Sequence, residues 1–197
     1  FLQTSPSGRG TRKRLLPSVE YIAELPLLLL AGVIAGFVDA IAGGGGLLSL
    51  PALLWAGLAP VEALATNKLQ GTAGTFTATL NYIRHGLIQP RQLLPAVICT
   101  ALGAAAGALI VQQFSNTLLS QLIPWMLISF ALYFLFSPRM DGHQHGQCIA
   151  IAPFSLLIGF SVGFYDGFFG PGAGSFFTLA FILLLGWSLP RAIGGTK

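Results

Sequence analysis

A few residues in this 197-residue chain have chemistry to offer, and they stand in unusual places. Lys68 lies well inside the apolar run 61–83, and Thr72, Thr75 and Thr79 follow it at helical spacing, so one cation and three hydroxyls share a face. Thr66, Asn67 and Gln70 adjoin the lysine. An ammonium ringed by amide and hydroxyl donors is the chemistry that holds a small anion. A stripe of Thr and Gly also suits helix packing in lipid, but a lysine inside the stripe, with a second at Lys197, favours binding.

The acids are as isolated as the lysines. Asp39 is the only charged residue between Leu25 and Val61, and Asp166 the only one in the apolar run 149–169. Each precedes a glycine cluster: "GFVDAIAGGGG" leads into Gly43, Gly44, Gly45 and Gly46, and "GFYDGFFGPGAG" into Gly170, Gly172 and Gly174. Glycines beside an acid at membrane depth break a helix, and the freed backbone N–H groups must meet protein, water or ligand. The helix that starts after the break offers donors and a partial positive charge, which suits an anion. Two roles follow for Asp39 and Asp166: holding the freed donors, or carrying a coupling proton.

The elements that must position these groups are membrane helices. The chain is 54% hydrophobic and 8% charged, where a soluble domain carries about a quarter charged residues. Apolar runs cover 21–42, 46–58, 61–83, 92–112, 118–137, 149–169 and 175–189. Several approach the roughly 20 residues needed to cross a bilayer, whereas 46–58 and 175–189 fall short, and both follow glycine clusters. The fold class is therefore an all-α, polytopic membrane protein with Gly/Pro-broken helices. The formal charge of +4 comes largely from residues 9–14 and reads as a membrane flank, too small a patch for nucleic acid. Arg84, Arg91 and Arg139 place their connectors on the cytoplasmic side, and a basic N-terminus joins them there if 46–58 enters and leaves on one side. "GAAAG" from Gly103 to Gly107 is either a close-packing surface between helices or chance in an alanine-rich segment.

The two aspartate motifs align as copies. With Asp39 on Asp166, Gly36–Phe37 falls on Gly163–Phe164, Gly43 on Gly170 and Gly45 on Gly172; two residues further along, Gly57 meets Gly186, Ala63 meets Ala192 and Lys68 meets Lys197. The organisation expected is a basic tail over 1–20, a first membrane repeat over 21–148 and the start of a second over 149–197, with the natural chain beginning before Phe1 and continuing past Lys197. Paired, Gly/Pro-interrupted segments at equivalent places are the pattern of a secondary transporter. The segments after Gly43 and Gly170 are expected to be short half-helices packed against each other.

"GFVDAIAGGGG", "ALATNK" and "GFYDGFFGPGAGSF" resemble the TauE/SafE sulfite exporter family, most closely its YfcA-like bacterial inner-membrane branch, from about Leu25 to Lys197. The resemblance implies a multi-pass bacterial plasma-membrane protein that moves small, often sulfur-containing anions such as sulfite or sulfonates. The second copy reads "GGTK" where the first reads "ATNK", so Asn67 lacks an amide counterpart.

Other signals lead nowhere. "DGHQHGQC" offers Asp141, His143, His145 and Cys148, but not in a zinc spacing. There is no phosphate-loop motif, and neither Ser49 nor Ser175, the serines near the glycine clusters, stands in a G-x-S-x-G. Neither metal, cofactor, nucleic-acid partner nor enzymatic activity is expected; the partners are a small anion and the bilayer. The expected function is anion transport, with an accessory membrane subunit or a passive anion channel as alternatives. The lysine in the membrane needs a partner: the anion itself, or a structural acid, for which Asp39 is the sequence candidate.

Overall fold

The computed structural model describes residues 17–136 and 148–197, so residues 1–16 of the expected tail and the loop bearing Asp141, His143 and His145 lie outside the described residues. Among the described residues every regular element is helical. The order is α1 (Pro17–Ala42), α2 (Gly46–Trp55), α3 (Pro60–Arg84), α4 (Pro90–Val111), α5 (Asn116–Phe136), α6 (Ile151–Phe168), α7 (Ala173–Leu185) and α8 (Leu189–Gly195).

Proline and glycine set these boundaries. Pro60 and Pro90 open α3 and α4, where a missing N–H leaves no bond unmade. The Ala59 N–H that precedes α3 donates to the Glu62 carboxylate at 3.2 Å. The chain leaves α1 through Gly43 at φ +72° and leaves α6 through Gly170 at φ +97°, a region where a side chain is strained. These two glycines are one of the pairs that the sequence alignment matches. The apolar run 175–189 is not one helix: α7 ends at Leu185, because Gly186 turns with φ +66° and α8 starts afresh at Leu189.

The tightest seam joins α4 to α6. A methyl group built on Gly103 would fall on the Phe160 carbonyl, and one on Gly107 on the Phe164 carbonyl. From the other side, Gly163 and Gly167 press on the backbone at Thr100 and Ala104. "GAAAG" is thus a packing surface, met by a second small-xxx-small run that in sequence reads only as part of the aspartate motif. Above this seam α6 widens into a π turn over Ser155–Gly159, where the buried Ser155 hydroxyl donates to the Ile151 carbonyl at 2.6 Å. No pattern in the sequence announces that turn.

Two apolar cores flank the glycine breaks. Phe154, Phe177, Phe181 and Leu185 build one around α6 and α7; Leu50, Leu64, Leu119, Ile123 and Phe169 build the other around α2, α3 and α5. Much of the remaining apolar surface faces outward: Val33, Phe37, Trp125 and Leu135 are each more than two-thirds exposed. A surface of that kind is stable against lipid and not against water. α4 (22 residues) and α6 (18 residues) are the described helices long and apolar enough to cross a membrane.

Candidate functional site

The site forms where the two breaks meet. A methyl on Gly43 would come within 2.8 Å of the Gly174 Cα, and one on Gly46 within 3.1 Å of the Pro171 Cα. The glycine clusters therefore touch, but the short helices α2 (10 residues) and α7 (13 residues) lead away from the contact and do not pack along each other as expected from the sequence. The Tyr165 hydroxyl donates to the Pro171 carbonyl and ties down the second break from within its own helix end.

At the first break several of the freed donors are already engaged. The Gly45 N–H donates to Asp39 Oδ1 at 3.3 Å, the Gly43 N–H to the Asp39 carbonyl at 2.8 Å, and the Leu47 and Leu48 N–H groups close tight turns at 3.0 Å each on Gly44 and Gly45. The Asp39 carboxylate thus takes one of the donors at the start of α2 and sits at the positive end of that helix.

The lysines pair crosswise. Lys68 Nζ lies 2.7 Å from Asp166 Oδ2, and Lys197 Nζ lies 3.0 Å from Asp39 Oδ2. Each bridge joins a lysine near one break to the acid of the other. The acid opposite Lys68 is therefore Asp166, and Asp39, the candidate named from sequence, is taken by Lys197. Lys197 Nζ also donates to the Asp39 carbonyl, and its side chain is only 4% exposed.

These four charges line one cavity of about 660 Å³ bounded by α1, α3, the breaks and the end of α8. Asn67, Gln70, Thr72, Thr75 and Thr79 reach it from α3, so the predicted polar stripe faces it. Gly43, Gly45, Gly46, Gly170, Gly172 and Gly174 floor it. Gly44 is buried behind the break and does not line it. Thr66 is exposed and does not line it, although it shares a helical face with Gln70, whose longer side chain reaches the cavity.

The hydroxyls do less donating than their types suggest. Thr72 donates to the Lys68 carbonyl and Thr79 to the Thr75 carbonyl, both at 2.8 Å, so they present lone pairs to the cavity. Gln70 is held by the Gly32 carbonyl at 3.1 Å. Ser49, to which no sequence pattern assigns a role, is buried on α2, and its hydroxyl lies within hydrogen-bonding reach of the Gly45 carbonyl and of Asn67 Oδ1, an orientation that leaves Nδ2 as the donor end of the amide. Thr196 also lines the cavity. It precedes Lys197 as Asn67 precedes Lys68, which is the available sequence signal. Among the described residues no group of three His, Cys, Asp or Glu side chains converges as a metal site would require.

Apolar helices outside and a charge-balanced polar cavity inside, at the meeting of two helix breaks, define an all-helical membrane protein. The chain belongs to the sulfite exporter TauE/SafE family, whose profile it matches over residues 28–197. It is 43% identical over 173 residues to "Probable membrane transporter protein YfcA" of Escherichia coli (strain K12), covering 88% of this chain and 64% of that protein. It is 41% identical over 173 residues to "Probable membrane transporter protein" of Haemophilus influenzae (strain ATCC 51907 / DSM 11121 / KW20 / Rd), covering 88% and 68%. Against "Probable membrane transporter protein ORF9" of Sinorhizobium sp the identity is 44% over 174 residues, covering 88% and 66%. The chain thus spans under two-thirds of the length of its Escherichia coli relative. No solved structure matches it.

Proposed function

We propose that this protein is a multi-pass secondary transporter of a small, sulfur-containing anion of the sulfite or sulfonate type, working in the bacterial inner membrane, and that it is not an enzyme. The observation that carries the reading is the cavity at the two breaks, crossed by the Lys68–Asp166 and Lys197–Asp39 pairs. Broken helices that meet around a polar pocket are the construction by which secondary transporters hold solutes. The shared left-handed geometry of Gly43 and Gly170, and of Gly57 and Gly186, supports two copies of one unit. Lys68 and Lys197 are the cations of the cavity, with Asn67 and Gln70 beside Lys68; Asp166 and Asp39 are the acids that compensate them. A passive anion channel would keep a surplus of positive charge along its path, whereas the ionisable residues that line this cavity sum to zero.

The test is reconstitution of the full-length protein in liposomes. Sulfite, a sulfonate and thiosulfate are offered with and without a proton gradient. Saturable flux of at least one of them is expected. Flux no greater than that of protein-free vesicles contradicts the reading, and flux that never saturates favours a channel.

A further inference from the structure

The two ion pairs are unequal. Asp39 accepts the Gly45 N–H at Oδ1 and the Lys197 ammonium at Oδ2, and the same ammonium donates to its backbone carbonyl. The carboxylate stands at the start of α2, and Lys197 is almost wholly enclosed. Removing charge from Asp39 would weaken all of these contacts where a broken helix needs its acceptor. Asp166 meets Lys68 and no other donor among the described residues. The side chains of this pair are 34% and 39% exposed to the cavity, so water reaches both. Lys68 Nζ lies over Gly170, where even a methyl group would come within 2.9 Å of it. Next to it, Asn67 presents amide hydrogens, since its oxygen is taken by Ser49.

We propose that Asp166 is the proton carrier of the cavity and Lys68 its exchangeable anion contact, while Asp39–Lys197 is a permanent tie, so that one proton enters with each monovalent oxyanion. This rests on the anion-transport reading above. The cavity starts at zero net charge, and an anion entering alone would leave one negative charge without compensation in a low-dielectric setting. One proton restores the balance. It passes from water to Asp166 Oδ2, an O–H bond forms, and the bridge to Lys68 is given up. The freed ammonium then donates to an oxygen of the incoming anion, with the Asn67 amide as a second donor. Release runs the same steps backwards, and no net charge crosses. The other titratable groups near Asp166 are few: Tyr165 on its own helix, committed to Pro171; Tyr133 on α5, packed on Phe176; and Asp39 and Lys197 across the cavity.

The experiment measures methanesulfonate affinity of the full-length protein in detergent between about pH 5.5 and about pH 8, a range in which this probe does not titrate while a carboxylate can. The wild type should lose affinity on the alkaline side with a one-proton slope, about tenfold per pH unit. Asp166→Asn should bind at the upper pH as the wild type does at the lower, with the slope gone. Asp39→Glu should keep the slope. If Asp166→Asn does not fold, Asp166→Glu replaces it and must move the midpoint of the pH dependence. A wild type that binds without pH dependence overturns the proposal, as does a slope that survives Asp166→Asn, a slope lost in Asp39→Glu, or an unmoved midpoint in Asp166→Glu. A wild type that binds no anion at any pH removes the transport reading along with it.

Discussion

Glycine has opposite jobs on the two sides of this molecule. Along α4 and α6, Gly103, Gly107, Gly163 and Gly167 let two backbones come so close that no Cβ fits at any of the four positions. Along α3, Gly71 and Gly74 line the cavity, and a methyl on either would meet nothing within 4 Å. The seam uses the missing side chain for contact, because in lipid close packing, not water exclusion, draws helices together. The cavity wall uses it for room. Between these extremes lie the breaks, where Gly43 supplies both a left-handed turn and a close approach to Gly174.

Substitutions can break or sharpen that contrast. The largest effect is expected at the seam: Gly107→Val drives side-chain carbons into the Phe164 carbonyl, and the cost should reach about 3 kcal/mol or more, enough to abolish well-folded protein in a detergent-exchange or gel-filtration assay. Normal yield and melting temperature for this variant would mean that the α4–α6 contact is not close. A smaller loss is expected at the break. Gly43→Ala strains a residue at φ +72° and crowds the Gly174 backbone, which should cost about 2 kcal/mol and show as a lowered Tm in detergent. The smallest effect belongs to the cavity wall. Gly74→Ala has open space before it and sits within a helix, where alanine is preferred by up to about 1 kcal/mol, so the Tm should hold or rise slightly. A fall comparable to that of Gly43→Ala would place an unseen neighbour against α3.

Much of this arrangement is legible in the amino-acid sequence. Charge is so scarce in the apolar runs that Asp39, Lys68 and Asp166 stand out, and the glycine clusters locate both breaks. Helical periodicity puts Lys68, Thr72, Thr75 and Thr79 on one face, and that face lines the cavity. Partnership is less legible. Which acid meets which lysine depends on how helices distant in sequence cross, so the sequence can name Asp39 as a candidate partner for Lys68 but cannot weigh it against Asp166. Neither adjacency nor helical face decides Thr66: it stands beside Lys68 in sequence and on the face of Gln70, yet it is exposed outside the cavity that Gln70 reaches. The glycines foretell the donors freed at the first break, but their acceptor is Asp39 itself. In sequence Ser49 is only a serine near glycines, and its hold on Asn67 requires the α2–α3 contact.

The most direct test of the central claim, that Lys68 in the cavity is the contact for the anion, is sulfite binding by full-length Lys68→Met and by Lys68→Met combined with Asp166→Asn. Because the pair is partly hydrated, losing the lysine should cost only about 1 kcal/mol of stability, and neutralising Asp166 should recover it. Both variants should fold, and both should lose sulfite binding by isothermal titration. A stable Lys68→Met protein that binds sulfite as tightly as the wild type would contradict the account and leave the polar face of α3 a packing surface.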